Sequence, residues 1–243
     1  SVKAETVVLA LNAWGIAFSE IRQAIAMIAT DMIMTEPIPD RLERIGWNNG
    51  MTISDSAMLV AYYRTTLDGR IGFGIGGVNG KRAFGGLMGD RFDGSSEIPG
   101  DVEAGFKARY PALSDVRVAA SWMGPIDRSK SGLPAFGGLA GRPDILYGVG
   151  FSGNGVGPCN VAGKILASLA LRRRDEWSAC GLVRPLTRDF PPEPIRYLGT
   201  PFVRKAAIAK DRADKEGRPL DPISAYLLRF APSGLSPTKR KGG

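Results

Sequence analysis

The chain has 243 residues, of which 44% are hydrophobic and 23% are charged, so it is long enough for one large domain or two modest ones. It contains no histidine, which excludes histidine triads, histidine zinc ligands and a histidine general base, so difficult chemistry would have to come from a cofactor. The net charge of +8 arises after residue 171, because Lys/Arg and Asp/Glu number 16 each before that point but 16 and 8 beyond it.

The basic C-terminal part is typical of a solvated surface or of an appendage that contacts an acidic partner. It carries no RNP, zinc-finger or helix-turn-helix pattern, so we expect no nucleic-acid partner. Two cysteines, Cys159 and Cys180, are too few to indicate a disulfide framework. The sequence has no run of 18 uncharged apolar residues and no signal peptide, so we expect no transmembrane segment and a cytoplasmic location.

Hydrophobic periodicity predicts an alternation of strands and short helices over the first two thirds of the chain. The predicted strands are 5–15, which we expect to be buried and to end in a turn, and 26–35, 56–66, 70–75, 116–127, 133–137 and 145–151. The predicted helices are 16–25, 39–45 and 96–110. Residues 67–69 form the turn of a hairpin, and alternation along its first strand puts Tyr62 and Arg64 on one face and Tyr63 on the other.

Prolines dominate the prediction for the C-terminal part. They favour an extended segment over 190–199, because each proline restricts itself and the residue before it. A helix is predicted from Pro201 to about Lys215 and a shorter one over 223–230. From Ser233 onward the composition predicts disorder.

The stretch from Gly150 to Leu171 reads GFSGNGVGPCNVAGKILASLAL and predicts a strand, a glycine loop and a helix in succession. Glycines let backbone approach a ligand closely, and a helix N-terminus attracts negative charge. The spacing matches neither the GxGxxG dinucleotide fingerprint nor a phosphate-binding P-loop. By spacing alone, a tight turn followed by a packed helix explains the stretch equally well.

Three separated segments resemble the D-amino-acid oxidase superfamily of flavoenzymes, which oxidise glycine, sarcosine and other amines. They are VVLALNAWG at 7–15, WMGPID at 122–127 and the glycine loop with its helix. The resemblance implies FAD and places these residues close to it: Asn12, Gly15, Trp122, Gly124, Gly153, Asn154, Gly155, Val156 and Gly157. It covers nearly the whole chain as the C-terminal portion of such an enzyme, without the N-terminal GxGxxG segment.

The resemblance implies an α/β (α+β) fold: part of a Rossmann-like FAD-binding domain plus a substrate domain with a mixed or antiparallel sheet. Residues 1–15 would be the last strand of the FAD-binding domain, 16–140 the substrate domain, 141–171 the return to the FAD-binding domain, and 172–243 a basic extension. In the family the substrate-domain sheet covers the flavin. We therefore take Tyr62 and Arg64 as candidate substrate contacts, although a surface pair on a sheet explains them as well.

The implied activity is oxidation of the C–N bond of an amine or amino acid, with hydride transfer to flavin N5 and hydrolysis of the imine. Covalent attachment is not expected, because Trp122, Met123 and Gly124 stand where some members carry a cysteine. Asn154 and Gly157 replace a histidine and a lysine that oxidases often have, so oxygen and another electron acceptor both remain open. The alternative is a non-catalytic, truncated substrate domain that binds a partner through its basic tail.

Overall fold

The computed structural model describes residues 3–76, 80–89, 92 and 94–232. Its strands are β1 Val7–Leu9, β2 Ile25–Thr35, β3 Thr52–Ser54, β4 Ala61–Thr65, β5 Ile71–Gly76, β6 Val118–Ser129, β7 Ala135–Leu139 and β8 Arg142–Val149. Its α-helices are α1 Ser19–Ala24, α2 Pro39–Arg44, α3 Pro99–Arg109, α4 Pro158–Ala170, α5 Ile195–Lys215 and α6 Pro222–Leu227. The 3-10 helices are Asn12–Ala17, Pro111–Leu113 and Leu228–Phe230. The tail from Ser233 onward, which the composition predicts to be disordered, lies outside the described residues.

Two sheets organise these elements, and they confirm the predicted fold class. Five strands form a sheet in the order β3-β4-β5-β2-β6, and every pairing in it is antiparallel. Three strands form a mixed sheet, in which β8 lies between parallel β1 and antiparallel β7. The chain passes from the long β6 through β7 and β8 into the glycine loop and α4.

One face of the five-stranded sheet packs on α2 and α3. Its core is a cluster of aromatic rings in stacked and edge-to-face contact, which includes Trp47, Tyr63, Phe73, Phe106 and Tyr110. Such pairs add specific stabilisation beyond the burial of apolar area. The predicted hairpin is confirmed, because β4 pairs antiparallel with β5, and Tyr63 packs into this core.

The opposite face of the sheet carries a row of alternate residues with little bulk. Gly72, Gly74 and Gly76 of β5 pair with Met34, Met32 and Thr30 of β2, so the three β2 side chains point to this face and β5 adds no side chain beside them. Tyr62 of β4 lies flat across Gly74, where an added Cβ would come within 2.6 Å of the tyrosine ring. The missing side chain at Gly74 therefore allows Tyr62 to lie against the sheet.

The first strand differs from the prediction of a buried strand over residues 5–15. β1 has only three residues, and Val7 and Val8 are more than two fifths exposed, while Leu9 is buried. In the described residues β1 pairs only with β8, so its other edge and part of its surface face solvent. The turn predicted after it is a 3-10 helix over Asn12–Ala17.

The extended segment predicted over 190–199 is also wrong, because α5 begins at Ile195. Pro194 stands at the N-cap, where a missing N–H costs nothing. Pro201 lies inside the helix and cannot donate to the carbonyl of Tyr197. The guanidinium of Arg82 donates to that carbonyl at 2.9 Å instead and lies 4.5 Å from the centre of the Tyr197 ring.

The C-terminal extension is docked on the body of the protein at three places. Arg196 donates to the carbonyl of Arg22 in α1 (2.6 Å) and to that of Ile25 at the start of β2 (3.3 Å). The carboxylate of Asp211 accepts the backbone N–H groups of residues 58 and 59 at 2.7 and 3.1 Å. Lys130 donates to the carbonyls of residues 229 and 231. Together these contacts hold α5 and α6 beside the sheet.

No helix in the described ranges combines the length and the apolar content needed to cross a membrane.

Candidate active site

A cavity of about 1540 Å³ lies between the glycine-bearing face of the five-stranded sheet, the glycine loop and the C-terminal extension. The sheet contributes Ile28, Thr30, Tyr62 and Ile126, and the loop contributes Ser152, Gly153 and Asn154. The extension supplies another wall, from residues within 188–207 and 227–232. The volume is above the range of ordinary small-molecule pockets, so it has room for a bulky cofactor and a substrate.

The loop between β8 and α4 is held in an uncommon backbone conformation. Gly150, Ser152 and Gly153 have φ values of 85°, 58° and 86°, in the left-handed region that glycine tolerates best. The N–H of Gly150 donates to the carboxylate of Asp127 at 2.6 Å, and the N–H of Ser152 donates to the backbone carbonyl of Asp127 at 3.1 Å. One buried residue of β6 therefore fixes the loop against the sheet.

The far side of this loop presents unused hydrogen-bond donors. The backbone N–H groups of Gly153, Gly155, Val156 and Gly157 donate to no other residue in the described part of the chain. Gly157 is the N-cap of α4 and provides no side-chain cap, so the positive end of the 13-residue helix is open. Val156 is almost wholly exposed. Free donors at an uncovered helix N-terminus fit the electron-rich edge of a flavin ring, so these residues suit the predicted cofactor.

Only part of the predicted FAD-contacting set lines the cavity. Gly153 and Asn154 do, whereas Gly155, Val156 and Gly157 lie beyond its lining at the start of α4. Asn12 fastens β6, because its amide donates to the carbonyl of Pro125 at 3.0 Å and accepts the N–H of Asp127 at 3.2 Å.

The other predicted cofactor residues lie in or beside the sheets. Gly15 is buried against Ile21, whose Cγ2 would lie 3.2 Å from an added Cβ. Gly124 and Trp122 pair with Thr30 and Met32 of β2, so they share the face of the sheet that carries Tyr62, but neither lines the cavity.

The two predicted substrate contacts are separated by the structure. Tyr62 lines the cavity, and burial raises the pKa of its hydroxyl, so the group stays protonated and can donate a hydrogen bond. Arg64 is exposed and does not line the cavity, although it lies on the same face two residues further along β4.

Asp127 is the buried carboxylate nearest to the loop and is 1% exposed. Burial raises the pKa of this carboxyl group, and the hydrogen bond from Gly150 opposes that shift. Its contacts with the loop and with Asn12 identify it as a residue that shapes the site.

Sequence reasoning missed the cationic side chains of the cavity. Arg128 on β6, Arg82 in the loop after β5 and Arg204 on α5 all line it. Burial lowers the pKa of both Arg128 and Arg204. Arg128 directly follows the WMGPID motif, but only the docking of α5 brings Arg204 into the cavity, so periodicity gave no signal for it.

The fold and the free donors of the loop are compatible with a flavin-binding protein, and the comparisons identify the family. The profile of the FAD dependent oxidoreductase (DAO) family matches residues 1–169, so the chain belongs to that family. The family's cofactor is FAD.

The relatives agree with this family. The probable oxidoreductase OrdL of Haemophilus influenzae is 29% identical over 178 residues, which cover 70% of this chain and 37% of that protein. Gamma-glutamylputrescine oxidoreductase of Escherichia coli is 31% identical over 144 residues, 58% of this chain and 30% of that protein. The structure of fructosyl amine: oxygen oxidoreductase from Aspergillus fumigatus superposes with a TM-score of 0.57 at 14% identity, over 72% of this chain and 42% of that one. The chain thus spans about a third of the length of these curated relatives.

Proposed function

We propose that the chain provides the substrate side and the flavin-contacting loop of an oxidoreductase that oxidises the C–N bond of an amine or amino acid. When bound, FAD would accept a hydride from the carbon next to the nitrogen. The observation that carries the proposal is the cavity itself, which has the glycine loop on one side and Tyr62 on another. The names of the E. coli and A. fumigatus relatives, which both concern amines, support the same substrate class.

The chain's own residues would have three tasks. The free N–H groups of Gly153, Gly155, Val156 and Gly157 and the open end of α4 would stabilise negative charge on the pyrimidine side of the ring. Tyr62, protonated at neutral pH, would orient the substrate by a hydrogen bond. The apolar side chains of the extension, among them Phe202 and Phe230, would keep water away from the reacting carbon.

Two parts of this proposal concern the cofactor and the acceptor. We expect FAD to be held without a covalent bond, since Met123 is buried in the core and Trp122 and Gly124 carry no thiol. Denaturation should then release all the flavin into solution. The reduced enzyme should be mixed in turn with oxygen and with an artificial dye, because the rates of reoxidation decide between an oxidase and a dehydrogenase.

The main test is anaerobic reduction of the FAD-loaded protein by a panel of amino acids, N-methyl amino acids and diamines. Bleaching of the oxidised flavin spectrum by at least one of them, with release of a carbonyl product, is the expected result. A protein that binds FAD but is reduced by none of the panel would count against the proposal.

Tyr62→Phe tests the positioning role with a matched control on the same strand. Loss of the hydroxyl should lower kcat/KM by about tenfold, as expected for one hydrogen bond of roughly 1.4 kcal/mol made to the substrate. Tyr63→Phe removes a hydroxyl from the opposite face, inside the aromatic core, and should leave kcat/KM of the folded enzyme unchanged. Equal effects of the two variants would remove Tyr62 from the site.

A further inference from the structure

The wall of the cavity carries an excess of positive charge. Its lining includes six arginines and two carboxylates: Arg22, Arg82, Arg128, Arg188, Arg196 and Arg204 against Asp189 and Glu193. A cleft lined by one sign of charge concentrates ligands of the opposite sign. The amine nitrogen of a substrate is not such a ligand, so the charge needs another explanation.

Three of these arginines have structural tasks. Arg196 forms an ion pair with Glu193 at 2.9 Å and holds the start of β2, as described above. Arg22 donates to the carbonyl of Gly85 at 2.5 Å. Arg82 donates to the carbonyl of Tyr197 and stacks on its ring. Their guanidinium groups are therefore already engaged by the protein.

Arg188 and Arg204 donate no hydrogen bond to any residue in the described ranges, and Arg188 is exposed, so the arginine that is both unpaired and shielded from solvent is Arg204. It is partly buried, and its pKa is lowered by burial and by the like charge of Arg82. The carboxylate that acts on it, Asp31, is 1% exposed and receives a hydrogen bond from Ser96. Burial raises the pKa of Asp31, which weakens its value as a counter-ion.

We infer that Arg204 binds a carboxylate of the substrate inside this cavity, and that the engaged Arg82 nearby contributes only its positive charge. A guanidinium can hold a carboxylate through two parallel hydrogen bonds, and the bound anion relieves the repulsion between the two arginines. Arg204 belongs to α5, which lies beyond the segment matched to the family, so the C-terminal extension takes part in substrate selection. The inference rests on the proposed function and narrows its substrate class to amines that carry a carboxylate.

The test compares Arg204→Gln with Arg212→Gln in the FAD-loaded protein. Arg212 lies on the same helix, is exposed and does not line the cavity, so its variant makes the same change of charge outside the site. Each variant is assayed with pairs of amines that differ only in a carboxylate or a carboxamide, such as 4-aminobutanoate and 4-aminobutanamide, and with whichever amino acid reduces the wild type. Arg204→Lys keeps the charge and guards against a variant that fails to fold.

We expect Arg204→Gln to lower kcat/KM for the carboxylate amine by about tenfold or more, chiefly through KM, and to leave the amide unchanged. Arg204→Lys should recover part of the loss, and Arg212→Gln should match the wild type. Equal losses for carboxylate and amide would overturn the inference, and so would no loss at all. A lower flavin content in Arg204→Gln would also overturn it, since the anion would then be a phosphate of FAD.

A second readout does not depend on turnover. Binding of glutarate, measured by equilibrium dialysis, should be at least tenfold weaker in Arg204→Gln than in Arg212→Gln, and glutaramide should bind to neither. If no amine reduces the wild type while glutarate binding still depends on Arg204, the proposed activity fails and the carboxylate site stands. If amines reduce the flavin while glutarate binding ignores Arg204, the inference alone fails.

Discussion

Gly153 lies at the junction of the loop and the cavity, and its backbone is the reason that glycine is needed there. Its φ is 86°, and a Cβ would lie 3.4 Å from the Cδ1 atom of Ile126. Gly153→Val forces a β-branched residue into the left-handed region of backbone conformation, at a cost of about 1–3 kcal/mol, so the loop should shift. We expect the variant to fold but to retain much less FAD after gel filtration, measured as the ratio of flavin to protein absorbance.

Gly163→Ala is the control for this prediction. Gly163 lies inside α4 with no atom within 4 Å of an added Cβ, so alanine should raise helix stability slightly and leave flavin content unchanged. A wild-type flavin ratio in Gly153→Val would show that the loop does not approach the cofactor.

The raised pKa of Asp127 makes the free energy of unfolding depend on pH, and it also sets the sign of that dependence. As pH rises past the usual value of 3.8, the unfolded chain loses this proton before the folded chain does, so the folded state binds more protons. The stabilisation that Asp127 contributes is therefore complete below 3.8 and is lost as pH rises through the higher folded pKa. Asp127→Asn cannot titrate, so the free energy of unfolding of wild type minus variant should decrease over this window.

Urea unfolding at a series of pH values measures this difference, and the other carboxylates cancel because both proteins share them. A difference that increases with pH would mean that the hydrogen bond from Gly150 outweighs burial and lowers the pKa of Asp127 instead.

At helix α5, we expect the effects of substituting Arg82 and Pro201 on the free energy of unfolding to be coupled. Pro201 leaves the carbonyl of Tyr197 without its helical donor, and Arg82 supplies one. Arg82→Ala should cost about 1–3 kcal/mol in the free energy of unfolding, because a partly buried carbonyl loses its partner. Pro201→Ala restores the N–H, so the same Arg82 substitution should cost clearly less in that background.

A double-mutant cycle, measured by urea unfolding, gives the coupling free energy between the two positions. Additive effects would show that Arg82 stabilises α5 only through its contact with the Tyr197 ring.

The strands and helices show which structural features could be predicted from the sequence. Alternation of side chains located Tyr62 and Tyr63 on opposite faces, because a half-buried strand has a strict period of two. The start of α5 was missed, because prolines were counted as breakers although Pro194 stands at a helix N-cap. The exposure of Val7 was missed, because an apolar run reports which residues could be buried and not which neighbours cover them.

At the scale of the whole molecule, the family resemblance predicted FAD and the loop, whereas the cavity depends on long-range docking that no local pattern encodes. Arg204 and Tyr62 meet the same cavity although 142 positions separate them in the chain. The contact between α5 and residues 58–59 helps to bring that about, so the carboxylate of Asp211 contributes to the shape of the site.

Asp211→Ala should therefore loosen α5 without unfolding the protein. Two backbone N–H groups, at residues 58 and 59, would lose their acceptor, at a cost of about 1–3 kcal/mol. We expect faster amide hydrogen exchange along α5 and a KM for carboxylate amines that rises several-fold, because Arg204 would no longer be held in place. Asp214→Ala is the matched control, since within the described residues the Asp214 side chain pairs only with Lys210 on the same exposed face, a contact worth about 0.3–0.5 kcal/mol. Exchange in Asp211→Ala no faster than in Asp214→Ala would mean that the contacts of Arg196 and Arg82 hold α5 in place without Asp211.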